Sequence, residues 1–224
     1  TIDDGSVGTD DGEGTGTRFD PAIVYGANGD LYVAYGHQAG NTIDLIVAKS
    51  TDGGASFTQF ATVDTNTEAF LPLDKWQLAT GPDPSTGNEA VYITYVWNEP
   101  EPGTDQRLTV SGSNDGGVTW TAPLIIGDAS SGGQDTFNIS DPAVGPNGEF
   151  YVAWHDLNNG QILFDADTDG LWLGGDTFGV DTVAVTLNNE MFKSSVPAAP
   201  SRGIHTAGSL DVDLDRKRTR LNSS

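Results

Sequence analysis

Cysteine is absent from the 224 residues, so no disulfide and no thiolate-bound metal supports this chain. Basic residues are scarce: ten Lys and Arg stand against 32 Asp and Glu, a formal net charge of -22. Four of the ten (Arg216, Lys217, Arg218 and Arg220) crowd into one run near the end, so the remainder is more acidic still. Such a charge repels phosphate at every approach, which excludes nucleic acid and anionic lipid surfaces as partners. No apolar run approaches the roughly 18 to 20 residues that cross a bilayer, and no membrane insertion is expected. The opening "TIDDGSVGTDDGEGTGT" lacks the basic-then-apolar order of a secretory signal, so the chain reads as an internal piece of something longer. Helical periodicity is missing from every long window, and no strand is followed by a phosphate-binding glycine pattern.

Glycine is plentiful, with 29 residues, and much of it recurs in register. "DPAIVYGANGDLYVAYG" (20–36) matches "DPAVGPNGEFYVAWHD" (141–156), and "GPDPSTGNEAVYITYVWN" (81–98) is a looser middle copy. Tyr32, Tyr92 and Tyr151 fall at corresponding places, 60 and 59 residues apart, a spacing that implies an array of similar units. Each unit pairs a Gly-containing turn with an alternating run of aromatic and β-branched residues, a hairpin signal. A third run ("DLIVAKS", "RLTVSGS") and a fourth ("FTQFATV", "WTAPLII") follow. Four antiparallel strands per repeat predict an all-β propeller fragment of about three blades plus the start of a fourth. The expected divisions are an acidic Gly/Thr-rich lead-in (1–19), blades over 20–74, 75–138 and 139–200, the start of another over 201–215, and a tail (216–224) that reads as non-native.

Between the third and fourth runs lie "STDGGASF" (50–57) and "SNDGGVTW" (113–120). Paired glycines supply turn conformations closed to other residues, Ser50 with Asp52 and Ser113 with Asp115 can close the turn's hydrogen bonds, and Phe57 and Trp120 re-enter the sheet. Gly54 and Gly117 complete the pattern. The motif resembles the Asp-box, or BNR repeat, of the sialidase superfamily, over nearly all of residues 20–187. The resemblance implies a propeller fold and a structural role for the boxes on the blade rim. It also implies a substrate carboxylate held by three arginines, a tyrosine nucleophile activated by glutamate, and an aspartate acid/base.

Few residues here answer that description. Outside the tail the arginines are Arg18, Arg107 and Arg202. Arg18 in "TRFDPA" resembles the lead-in of active members, with Asp20 intruding before the proline. Arg107 and Arg202, the other candidates for binding a substrate, match no catalytic pattern, and a solvated surface position is the commoner explanation for each. The third unit carries "DADTDGLWLGGD", where Asp165, Asp167, Asp169 and Asp176 follow the spacing of a Ca²⁺ loop. A decayed Asp-box turn with solvated carboxylates is the other reading, and the sequence leaves both open. The histidines His37, His155 and His205 lack ligand spacing, which argues against zinc.

The expectation is therefore a non-catalytic, glycan- or protein-binding propeller, secreted or at the cell surface, completed by the remaining blades of a parent chain. Trp76, Trp97 and Trp172 are the aromatics that would meet a ligand. The alternative is part of an exo-α-sialidase whose other blades lie elsewhere. Fold alone does not separate the two.

Overall fold

The computed structural model describes residues 16–67, 73–98, 106–128, 137–171, 178–187, 192–193, 197, 204–205 and 209–212. Three four-stranded antiparallel sheets follow one another along the chain. The first contains β1 (Thr17–Tyr25), β2 (Leu31–Ala39), β3 (Thr42–Ser50) and β4 (Gln59–Asn66). The second contains β5 (Asp74–Pro82), β6 (Glu89–Asn98), β7 (Gln106–Ser113) and β8 (Leu124–Ile125). The third contains β9 (Phe137–Val144), β10 (Phe150–Asp156), β11 (Gln161–Asp167) and β12 (Thr182–Thr186). A short ladder pairs β13 (Phe192–Lys193) with β14 (Ile204–His205). Strands in each sheet lie in chain order, and the first strands β1, β5 and β9 pack side by side. This is the arrangement of propeller blades around an axis, and the molecule is an all-β partial propeller.

The apolar runs follow from this stacking. Alternate residues of a strand face opposite sides, so a strand sandwiched between two blades is apolar throughout. Residues 91–96 of β6, in the middle blade, are buried without exception. One side, Val91, Ile93 and Tyr95, meets Tyr32, Ala34, Leu45 and Val47 of the first blade. The other, Ala90 and Tyr92 with Leu108 and Val110, meets Phe150, Val152, Trp154 and Leu163 of the third. Tyr92 stacks on Phe150 with ring centroids 4.5 Å apart, a geometry worth ~1 kcal/mol beyond area burial. Between the first two blades the Tyr95 hydroxyl donates to the Asp64 carboxylate at 2.8 Å, and burial together with that carboxylate pushes the phenol's pKa up.

The two box turns are built alike. Ser50 Oγ donates to Asp52 Oδ1 at 2.7 Å and accepts from Gly54 N at 2.9 Å; Ser113 Oγ does the same with Asp115 Oδ1 and Gly117 N, both at 2.8 Å. Gly53, Gly54, Gly116 and Gly117 all have φ between 76° and 89°, where a side chain is disfavoured. The hydroxyl and N–H of Ser56, then the Ser50 hydroxyl, hold the Asp52 carboxyl down to about 2. At Asp115 desolvation acts upward, but hydrogen bonds from Thr119 and Ser113 outweigh it and keep the group below the usual carboxylate range. The turns also serve the packing between blades. A Cβ on Gly117 would lie 3.4 Å from the Tyr32 ring of the preceding blade, and one on Gly170 would lie 3.2 Å from the Tyr92 hydroxyl.

Strand register reassigns two sequence features. Asp167 pairs with Phe150 as Ser50 pairs with Leu31 and Ser113 with Val91, so Asp167 occupies the box-serine position and Asp169 the box-aspartate position. The two D-P-A segments, in contrast, do not superpose. The turn bond Gly26 N to Asp30 O corresponds to Gly145 N to Glu149 O, which sets Asp20 opposite Ile139 and places Asp141 two residues further along its strand.

Candidate functional site

Near the ends of the first strands stand Tyr25, Thr80 and Val144, three positions made equivalent by their partners Leu31, Val91 and Phe150. All three line one cavity of about 650 Å³, a volume suited to a small ligand. Two turns form its rim. In the first, Gly29 N donates to Gly26 O at 3.0 Å, while the Asn28 side chain accepts from Asp30 N at 2.8 Å and donates to the Asp30 carboxylate at 3.0 Å. The second is closed by Gly87 N to Asp83 O and Asp83 N to Asn88 O, both 2.7 Å. The buried Asp83 carboxylate accepts from Ser85, Thr86 and Asn114; burial acts upward on it, but these bonds prevail and keep it ionised. Thr80 Oγ1 donates to Tyr25 O at 3.0 Å and ties the rims of two blades together.

Tyr25 is the aromatic of this cavity, and it is 59% exposed. Asn28, Thr80 and Asn88 supply uncharged hydrogen-bonding groups beside it. Glu89, the first residue of β6, packs its carboxylate against the Gly26 backbone, where a Cβ at position 26 would overlap it. Both Glu89 carboxylate oxygens are buried. The sequence reading passed over these residues because they come from turns of different blades, where Asn28 and Asn88, 60 residues apart, read as repeated turn residues. Their only local sign is the tyrosine that opens "YGANG" where the third blade has the valine of "VGPNG".

A second unusual set lies toward the other end of the same strands. Asp20, Lys75 and Ile139 have φ of 48°, 57° and 45°, although none is glycine. Each stands four residues before the strand partner of Tyr32, Tyr92 or Tyr151, and each lies in a β-bulge. A left-handed conformation costs such residues ~1–2 kcal/mol, so the bulge is held by its surroundings. The Trp76 indole N–H donates to the Asp20 carbonyl across the blade interface, and its ring meets Phe19 at 5.4 Å. In the third blade Ser140 Oγ donates to Thr94 Oγ1 at 2.9 Å.

The residues marked from sequence are not gathered at either place. Trp76 is 2% exposed, wedged between two blades by its indole hydrogen bond, and offers no face to a ligand, which corrects the expectation of an exposed ring. Trp97 is half-buried against the same core and pairs in register with Arg107 on β7, the third strand of its blade. Arg18 stands on β1 opposite His37, and its Nη1 donates to Gly16 O at 3.2 Å. Arg202, Trp172 and Asp176 lie outside the described residues. Asp165 and Asp167 sit in strand register with Val152 and Phe150 rather than in a loop, and among the described residues no three His, Asp or Glu side chains are placed to hold a metal. Desolvation, then the hydrogen bond shared with Asp169, pushes the Asp167 carboxyl up to about 6.

No protein-family sequence profile and no curated protein sequence matches this chain. Solved structures do. A Dyadobacter fermentans protein of unknown function superposes with a TM-score of 0.54 at 16% identity, covering 75% of this chain and 51% of its own. An ulvan lyase of polysaccharide lyase family PL25 gives a TM-score of 0.47 at 14% identity over 74% of this chain and 43% of its own. The catalytic domain of the Coprinopsis cinerea GH62 α-L-arabinofuranosidase gives 0.46 at 16% identity over 78% and 52%. At these identities the likeness is one of fold, and the chain spans about half the length of the solved structures it matches.

Proposed function

We propose that the chain is the glycan-binding arc of an extracellular propeller, taking a saccharide in the cavity beneath Tyr25. One observation carries this reading: equivalent positions of three successive blades converge on a single cavity, with an exposed aromatic face beside the uncharged groups of Asn28, Thr80 and Asn88. A saccharide ring presents both surfaces that such a wall accepts, an apolar C–H face for the aromatic ring and hydroxyls for the amides. A glycan array probed with the chain and with Tyr25→Ala tests it. Binding that falls at least about tenfold in the variant, the loss of ~1.4 kcal/mol of contact, is the expected result. Array signals that are unchanged in Tyr25→Ala would refute this site.

The alternative, a portion of an exo-α-sialidase, asks for arginines that converge on one carboxylate. Arg18 on a first strand and Arg107 on a third strand do not favour it. A fluorogenic sialoside incubated with the chain and with Arg18→Ala separates the readings. No fluorophore release is expected from either; release that vanishes in Arg18→Ala would reinstate the sialidase.

A further inference from the structure

We infer that Glu89 makes this cavity select uncharged saccharides over anionic ones. The inference rests on reading the cavity as a glycan site, and it names the class of saccharide that fits. The described lining contains no lysine, arginine or histidine; Tyr25, Asn28, Thr80 and Asn88 are neutral, and Glu89 carries the one formal charge among them. That charge is fixed in place. Glu89 opens β6 in register with Pro82, and its carboxylate lies on the backbone of Gly26 with both oxygens shielded from water. A shielded carboxylate behind a cavity wall is poorly screened, so its field extends into the cavity and opposes a second negative charge there.

The neighbouring cation does not cancel it. Lys49 is held by Asp30 at 2.6 Å and lies over the Tyr32 ring at 5.4 Å, an arrangement that neutralises its charge locally. The surrounding chain, at net -22, adds repulsion of the same sign. A neutral pentose or hexose escapes both effects. A uronate or a sialic acid meets them without any guanidinium or ammonium in the described lining to receive its carboxylate.

Calorimetric titration of the purified chain with xylopentaose, mannopentaose, trigalacturonate and 3′-sialyllactose tests the inference, in the wild type, Tyr25→Ala and Glu89→Gln. The glutamine keeps the shape of Glu89 and removes its charge. The wild type should bind at least one neutral probe about tenfold or more tighter than either acidic probe. Glu89→Gln should shrink that ratio to less than about threefold, chiefly by gaining affinity for the acidic probes. A merely structural role for Glu89 would weaken all probes together, which overturns the inference, as does a wild type that prefers the acidic probes. Tyr25-dependent binding with a ratio insensitive to Glu89→Gln overturns it while leaving the glycan site intact. Failure of every probe to bind overturns the glycan reading, and the selectivity with it.

Discussion

Replacing Asp167 by serine should make the protein more stable at neutral pH and flatten its response to acid. In the first two blades the box position is a serine whose hydroxyl donates to the box aspartate at 2.7 and 2.8 Å. In the third blade Asp167 holds that position, and a carboxyl can donate to Asp169 only while it is protonated. Burial and this requirement move its titration from 3.8 up to about 6. The sign follows from proton counting: between those values the folded chain holds a proton that the unfolded chain has released, so stability falls as pH rises through the window and the contribution is lost above it. At about 1.4 kcal/mol per pH decade the shift corresponds to ~3 kcal/mol, which solvent screening near the rim reduces to ~1–2 kcal/mol. Urea unfolding followed by tryptophan fluorescence should therefore show the wild type losing ~1–2 kcal/mol between about pH 4 and about pH 7 relative to Asp167→Ser. At about pH 7 the variant should be the more stable of the two. Parallel stability curves for the two proteins over this range, or a variant weaker at both ends, would refute the equivalence of Asp167 with the box serines.

Two further outcomes bear on the packing. Gly36→Ala should destabilise the protein by ~1–3 kcal/mol in the same unfolding assay, because a Cβ there would approach Phe19 within 2.5 Å and Trp76 within 2.6 Å. An unchanged unfolding midpoint would mean that these rings yield freely. Lys75→Gly should leave stability unchanged or raise it by up to ~1 kcal/mol, against the usual penalty for glycine in a strand, since the native φ of 57° favours glycine. A loss above about 1 kcal/mol would show that the Lys75 side chain outweighs its backbone strain.

The repeat carried much of the fold. Hairpin turns such as "GANGD", the spacing of Tyr32, Tyr92 and Tyr151, and the box glycines announce four-stranded units because each rests on local chemistry: a turn that needs glycine, or a strand that alternates. What escaped the sequence was set by register and by neighbours. The D-P-A segments look alike, yet the bulge falls on Asp20 in one blade and Ile139 in another, since a bulge is specified by its partner strand and not by residue type. Trp76 sits beside Asp74 and Lys75 and so reads as a loop aromatic; its burial comes from the first blade, 56 residues away at Asp20. Tyr25, Asn88 and Glu89 meet only because two turns face each other, which no single segment records. The exposed Tyr25 on β1 likewise gains meaning from the cavity it lines rather than from its own alternation.

Because each sheet is made from a contiguous stretch of chain, with strands in chain order, the order of synthesis and the order of assembly coincide. The first blade can complete its ladders while the second is still unmade, and low separation between pairing strands favours fast closure. The cross-blade bonds, Trp76 to Asp20 and Ser140 to Thr94, can form only when the next first strand arrives. Each such bond therefore acts as a latch on a finished sheet, and pulling the protein from its ends should release blades in discrete steps rather than in one.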